Sequence, residues 1–282
     1  MAQQVHVIGA SGRSGSCLCR ALLADGRRVV PVVRDSAKWR AAGMDPAPRL
    51  ADLADPAALR AALADAALVV SCAHARHAPA ILAAAPPSAR LVLLGSTRRY
   101  TRWPDAHGNG VLAGEAALLE SGRSGVMLHP TMIYGAQGED NVQRLAAVLR
   151  RVPVVPLPGG GRALVQPIHQ DDVTRCITAA LAVDWQGPHV LVIAGPAPLP
   201  YADFVRAVAR AAGLAAPRVV AVPAWLLRAA APLTALPGLP HIRGDEIRRL
   251  LEDKSFSIAE MIATLGVRPI SLDEGLVRTF RH

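Results

Sequence analysis

The stretch Val5-His6-Val7-Ile8-Gly9-Ala10-Ser11-Gly12-Arg13-Ser14-Gly15 runs a short apolar segment into three glycines spaced three apart, and a helical pattern, Ser14–Ala24, follows directly. This is strand, tight turn, helix start. Gly9 lets the chain reverse where a Cβ would obstruct it. Gly12 lets a diphosphate approach the backbone, and Gly15 lets the helix lie close on the strand. The first N–H groups of the helix lack intrahelical acceptors and face an anion. An ordinary glycine-rich turn can use the same residues, but the strand before and the helix after supply the context that dinucleotide binding needs. The turn nominates Gly9, Ser11, Gly12, Arg13, Ser14 and Gly15 as cofactor contacts.

Outward from this turn, apolar runs alternate with helical patterns. The expected strands are Val5–Ile8, Arg28–Val33, Leu68–Ser71, Leu91–Leu94, Gly125–His129 and Val190–Ile193. The expected helices are Ser14–Ala24, Pro56–Ala64, Ala78–Ala84, Val111–Ser121 and Gln170–Ala182. Continuous apolar strands alternating with helices imply a parallel sheet covered on both faces. The fold class expected is therefore α/β, a doubly wound parallel (Rossmann) sheet with a small, mostly helical C-terminal lobe. Residues 1–133 form the dinucleotide-binding core, completed by about 165–195; residues 134–164 and 196–282 form the substrate-side lobe. After Pro130, prolines 153, 156 and 158 and the run Gly159-Gly160-Gly161 mark irregular chain. Helices are expected at Tyr201–Ala212, Ala224–Ala231, Asp245–Glu252, Ser257–Leu265 and Leu272–Phe280.

The 282 residues, 51% hydrophobic and only 4% aromatic, require a large core of Ala, Val, Leu and Ile. No basic segment with an apolar run precedes the first strand, so a cytoplasmic chain is expected. The apolar stretch 219–239 is broken by Arg228, Pro223, Pro232 and Pro237 and reads as a lobe helix, with no integral membrane segment. Cys17, Cys19, Cys72 and Cys176 read as structural thiols. His74 and His77, three apart, lack companion ligands, and no metal is expected. The net charge of +9 comes from scattered arginines without interleaved aromatics, so no nucleic-acid partner is expected.

The second strand ends in Arg34-Asp35-Ser36-Ala37-Lys38, read as a loop. A carboxylate there accepts from both ribose hydroxyls, whereas an arginine pairs with a 2′-phosphate in a bidentate fork. Arg34 first and Lys38 four residues later favour NADP over NAD. Asp35 can turn inward instead, and Lys38 can be a solvated charge. Asp52 and Leu53 are placed to accept from the adenine amino group and to cover the ring. Ser71, Ala73 and His74, small or polar residues ending a strand, lie where the dinucleotide meets the backbone.

Together these pieces resemble the extended and atypical short-chain dehydrogenase/reductases, of the epimerase/dehydratase-like and NmrA-like kind, over essentially the whole chain. Gly9 to Gly15 is similar to the family's GxxGxxG. Ala51-Asp52-Leu53 resembles its acidic segment after the third strand. Leu93-Leu94-Gly95-Ser96-Thr97 resembles the strand bearing its catalytic Ser or Thr. His129-Pro130-Thr131-Met132-Ile133-Tyr134-Gly135 resembles its RPxxxYG, with His129 in the Arg position. That resemblance implies nicotinamide contacts at Pro130, Met132 and Ile133. Segments 166–173, 252–254 and 265–269 resemble later motifs of the family.

The departure concerns the Tyr and the Lys four residues later that usually carry the chemistry, the ammonium lowering the phenol pKa from one helical turn away. The tyrosines are 100, 134 and 201, followed four residues on by Pro104, Gly138 and Val205; lysine occurs only at 38 and 254. Alignment on Gly114-Glu115 puts Val111 in the Lys position and His107 in the Tyr position. His107 can transfer protons near neutrality or be a loop histidine. Tyr100 is another candidate acid, or an aromatic anchoring its loop. The candidate catalytic set is Ser96, Thr97, Tyr100 and His107. Two functions follow. One is an NADP-linked oxidoreductase or epimerase-like enzyme on a small carbonyl or enone. The other is a non-catalytic NADP(H)-binding sensor or regulatory subunit acting on a protein partner. The apolar C-terminal lobe suggests a substrate less polar than a nucleotide sugar.

Overall fold

The computed structural model describes residues 4–135, 141–230 and 244–281. Along the chain run strands β1 (Val5–Ile8), β2 (Val29–Val33), β3 (Arg49–Leu50), β4 (Leu68–Ser71), β5 (Arg90–Leu94), β6 (Gly125–Pro130), β7 (Ile133–Tyr134), β8 (Val154–Pro158), β9 (Leu164–Val165), β10 (Ile168–His169), β11 (Pro188–Ile193), β12 (Leu199–Pro200) and β13 (Arg218–Val222). The helices are α1 (Arg13–Ala24), α2 (Ser36–Ala41), α3 (Pro56–Leu63), α4 (Ala78–Ala84), α5 (Ala106–Ser121), α6 (Asn141–Leu149), α7 (Gln170–Ala180), α8 (Tyr201–Ala211), α9 (Ala224–Ala230), α10 (Gly244–Arg249), α11 (Ala259–Leu265) and α12 (Leu272–Phe280).

Seven strands form one parallel sheet in the order β11-β6-β5-β4-β1-β2-β3. The order reverses between β1 and β4, which is where a doubly wound sheet opens its ligand crevice beyond the strands' carboxyl ends. Strand parity sorts the core. Val5, Val7, Val92, Leu94, Val126 and Leu128 pack with Leu18, Leu22, Val173 and Ile177 from α1 and α7. Ile8, Leu91, Leu93 and Met127 point the other way, onto Leu59, Leu63, Ile81, Val111 and Leu118 from α3, α4 and α5. A side-chain period of two in strands buried on both faces accounts for the continuous apolar runs. A third cluster, including Tyr134, Val142, Leu149, Leu157, Phe204 and Val208, joins α6 and α8 in the C-terminal part. Among the described residues no helix is long and apolar enough to cross a membrane.

The doubly wound α/β class holds, with helices following at the C-terminus. Several local expectations do not. Of residues 34–38 only Arg34 and Asp35 are loop: Asp35 Oδ1 accepts from Ala37 N at 2.8 Å and starts α2, so Lys38 stands on a helix. α5 begins at Ala106 rather than Val111, because Asp105 caps it through Gly108 N at 2.8 Å. Its early glycines had argued for a loop. A Cβ on Gly110 would meet His74 Cε1 at 2.9 Å, and one on Gly114 would meet the Ala75 carbonyl carbon at 2.6 Å. They are there for close approach to the 3-10 turn Ala75–His77. The C-terminal part is less helical than expected: β8 and β13 pair in parallel, with Pro156 and Pro158 tolerated on so short a sheet. α10 ends at Arg249, three residues early, and Ala231 lies outside the described residues.

Candidate functional site

The glycine turn is built by contact. Gly9 has φ +72°, and a Cβ there would press on Ala73 N at 3.2 Å, so the turn leaves no gap over the end of β4. A Cβ on Gly15 would meet the Gly9 carbonyl carbon at 2.8 Å and Ala10 Cα at 2.9 Å, which is the close helix–strand packing expected of it. Gly12 is the N-cap of α1; no side chain caps this helix, and its first turn holds no acidic residue. A backbone N–H cradle without a competing carboxylate fits a diphosphate. Ser14 Oγ donates to Gln170 Oε1 at 2.9 Å, tying the cradle to α7. Ser11 is half-buried and Arg13 exposed at the same mouth.

After β2, Asp35 is committed to its cap. Arg34 beside it is exposed and has no hydrogen bond or ion pair among the described residues. Lys38 is likewise exposed. Asp52 folds onto its own turn, Oδ1 accepting from Ala54 N at 2.9 Å, and Leu53 packs half-buried on the second core cluster. Ser71 is buried, and its Oγ accepts from Ala73 N at 3.3 Å.

On the chemical side, the segment after β5 divides the candidate residues. Thr97 is buried and donates its hydroxyl to Pro130 O at 3.2 Å, which fixes β5 to β6. Ser96 Oγ accepts from Arg98 N at 3.1 Å and keeps its own O–H to donate. Tyr100 is 49% exposed; its ring rests on Phe256 at 5.6 Å, with the Arg99 guanidinium 4.8 Å from its centroid. His107, in the first turn of α5, packs edge-to-face on His74 with centroids 4.3 Å apart. His107 as a residue is exposed, yet desolvation of its packed ring, then the Arg98 charge, lowers its pKa. Burial, then His107, takes His74 down to about 4. Both rings are therefore neutral near pH 7. His74 Nδ1 accepts from Arg76 N at 3.1 Å, which leaves the proton on Nε2. Val111 is buried in the core, facing away from any polar role. At the end of β6, Met132 and Ile133 are half-buried, and Thr131 Oγ1 is buried without a hydrogen-bond partner.

A buried network was missed in the sequence. Glu115 of α5 pairs with Arg99 and, through Oε2, with His129 Nε2 at 2.8 Å. His129 is fully buried, and its Nδ1 accepts from Ser96 N at 3.0 Å. That acceptor role puts the ring proton on Nε2, the nitrogen that lies beside Glu115 Oε2. Burial, then Arg99, lowers the His129 pKa to about 4; burial, opposed by Arg99, raises that of Glu115. Gly95 makes room, since a Cβ there would meet His129 Cε1 at 2.5 Å. The only signal in the sequence was His129 standing in an Arg position. The network fixes the Ser96 backbone.

The later motifs act structurally. Asp172 is buried, accepting from Ile270 N at 3.0 Å and pairing with Arg175. Glu252 is buried and accepts from Thr101 Oγ1 at 2.9 Å and Arg102 N at 2.6 Å, pinning the C-terminal part to the turn after β5. The four cysteines are free, and burial raises the thiol pKa of Cys19 and Cys176 to about 12. Among the described residues, no group of three His, Cys, Asp or Glu side chains converges on a metal position.

Comparison with known proteins agrees with this geometry. The family model described as NAD(P)H-binding matches residues 9–114. No curated protein matches the chain significantly by sequence. Solved structures do match in fold. One is a nucleoside-diphosphate-sugar epimerase from Pseudomonas aeruginosa, with TM-score 0.75 at 20% identity over 99% of this chain and 96% of that one. Another is the UDP-glucose 4-epimerase of Thermus thermophilus in complex with NAD, with TM-score 0.73 at 20% identity over 98% and 97%. A third is a short-chain dehydrogenase/reductase superfamily protein from Agrobacterium tumefaciens with bound NAD, with TM-score 0.71 at 16% identity over 98% and 95%. At these identities the likeness establishes the fold. The resemblance drawn from the motifs is borne out to that extent: residues 9–114 match an NAD(P)H-binding model, and the chain shares its fold with epimerases and a short-chain dehydrogenase/reductase superfamily protein.

Proposed function

We propose, with that NAD(P)H-binding unit as the premise, that the protein is an NADP-dependent oxidoreductase or epimerase-like enzyme acting on a small carbonyl or enone. What carries the reading is the His74–His107 contact. It sets a neutral imidazole of α5, at the position that alignment on Gly114-Glu115 gives the family's tyrosine, against the chain that leaves β4. Nicotinamide, when bound, supplies or accepts the hydride. His107 exchanges the proton at the substrate oxygen or carbon, and Ser96 O–H donates to the substrate oxygen. Pro130, Met132 and Ile133 wall the nicotinamide. Residues 134–164 and 196–282 close the substrate side.

The test is a panel of carbonyls and enones with NADPH, followed by absorbance loss. Turnover is expected, and His107→Ala should lower kcat on the order of 10²-fold, the weight of a positioned acid–base group. Tyr100→Phe should leave it nearly unchanged, since the Tyr100 ring is an anchor. Tight NADPH binding without turnover on any substrate would move the protein to the second reading, a dinucleotide-binding sensor. That reading draws support from Thr97 and Val111, both committed to the core.

The choice of NADP rests on Arg34, which, beside an Asp35 already engaged in its cap, has no partner among the described residues. Arg34→Ala should weaken NADPH about 10- to 100-fold, the range for one charge-assisted pairing, and change NADH by less than threefold or so. Equal losses for both dinucleotides, measured by calorimetry, would refute the assignment.

A further inference from the structure

We infer that Lys254 is a substrate-binding residue that receives an anionic group, a carboxylate or phosphate, on the substrate of this site. The inference rests on the proposed function only in taking the mouth above Ser96 and His107 as the substrate side.

The segment 252–256 runs as a strap beside the turn after β5. One edge is tied to the chain at 164–166: Leu164 N donates to Asp253 Oδ1 and Lys254 N to Leu164 O, each at 2.8 Å. Phe256 N donates to Gln166 Oε1, also at 2.8 Å. Two side chains of the strap reach the turn after β5. Glu252 holds Thr101 and Arg102, and the Phe256 ring lies on Tyr100. Lys254 lies in sequence between these two contacts to the turn that begins at Ser96. Its charge interacts with Glu252, Arg249 and Arg98. Arg98 in turn closes on Asp105, the cap of the helix that carries His107.

Lys254 is half-buried, and burial, opposed by Glu252, lowers its pKa. Its ammonium makes no hydrogen bond or ion pair among the described residues. Glu252, the carboxylate within reach by sequence, already accepts from Thr101 and Arg102. A structural lysine pays for desolvation with a fixed acceptor, and a surface lysine keeps its water. Among the described residues Lys254 has neither full hydration nor an acceptor, and Arg98 and Arg249 add positive field around it. An anion supplied from outside completes its coordination. The mouth is thus cationic where the composition of the lobe had suggested an apolar substrate.

The chain has only two lysines, 38 and 254, which makes the test direct. The NADPH-saturated protein is acetylated with a neutral succinimidyl acetate, and the rate at each lysine is read by peptide mass mapping. Inorganic phosphate or malonate should slow acetylation of Lys254 about tenfold, as expected for one charge-assisted contact, and leave Lys38 unchanged. Which of the two anions protects identifies the source of the charge. In turnover, Lys254→Met should raise KM about tenfold for carboxylate- or phosphate-bearing carbonyls and not for neutral homologues, and Lys254→Arg should restore it. Unchanged acetylation of Lys254 in both anions overturns the inference, as does an equal KM effect on charged and neutral substrates. NADPH binding is followed separately by nicotinamide fluorescence. Its failure strikes the proposed function, whereas failure of protection in the loaded protein strikes Lys254 alone.

Discussion

Gly15→Val should bind neither NADPH nor NADH at millimolar ligand and should unfold at markedly lower temperature than the parent. The new side chain would have to enter the space held by the Gly9 carbonyl group and Ala10 Cα, which are backbone atoms and cannot rotate away. Overpacking of this kind costs roughly 1–3 kcal/mol where side chains yield, and more where only a helix can shift. Shifting α1 moves the N–H cradle away from the turn, so fold and binding fail together. Gly12→Ala makes the useful contrast. Its Cβ would approach only the Gly9 carbonyl oxygen, at 3.1 Å, and φ at Gly12 is −79°, ordinary for any residue. Stability should change by less than about 1 kcal/mol while dinucleotide affinity falls at least tenfold, because the methyl stands where the diphosphate approaches. Calorimetry and thermal melts on the two variants separate the roles. If Gly12→Ala bound both dinucleotides as the parent does, the cradle would be no phosphate site.

His129→Gln should remove a defined part of the protein's acid sensitivity. In the folded state burial holds His129 neutral down to about pH 4, against an ordinary value of 6.5. The folded pKa is depressed, so the unfolded chain takes up this proton first as pH falls. Stability from His129 is then complete above pH 6.5 and is lost on the way down to about 4. At about 1.4 kcal/mol per pH unit, the histidine accounts for roughly 3 kcal/mol of that loss. Glu115 works in the opposite sense, since burial raises its pKa and its ionised form weighs against the fold above that value. Denaturant melts from about pH 7 to about pH 4.5 should therefore show a shallower fall for His129→Gln than for the parent. His129→Ala, which leaves Ser96 N without its acceptor and opens space over Gly95, should cost about 3 kcal/mol or more even near neutral pH. A parallel pH slope in parent and His129→Gln would mean that the ring is charged in the folded protein.

The resemblance to a known family reached the glycine turn and the Ser96 segment because each is a contiguous motif whose chemistry depends on its own backbone. Position Gly15 could be read as a packing glycine before any contact was known. The start of α5 was misplaced because a run of glycines has one appearance and two causes, freedom in a loop or close approach in a helix. Only the proximity of His74 and Ala75 distinguishes them. The buried pairing of Arg99, Glu115 and His129 joins three elements, and nothing in the spacing of the residues announces it.

From the amino-acid order alone came the continuous apolar strands, the doubly wound α/β class and the glycine turn, since each follows from the pattern of apolar residues and from where a Cβ is missing. The tertiary structure decided which polar groups are already engaged. Asp35 is taken by a helix cap and Thr97 by Pro130, while Arg34 and Lys254 are left with charge to offer. Such a division depends on which distant chain arrives within hydrogen-bond reach, and on how much water it displaces. Neither quantity is a property of a residue and its neighbours in sequence.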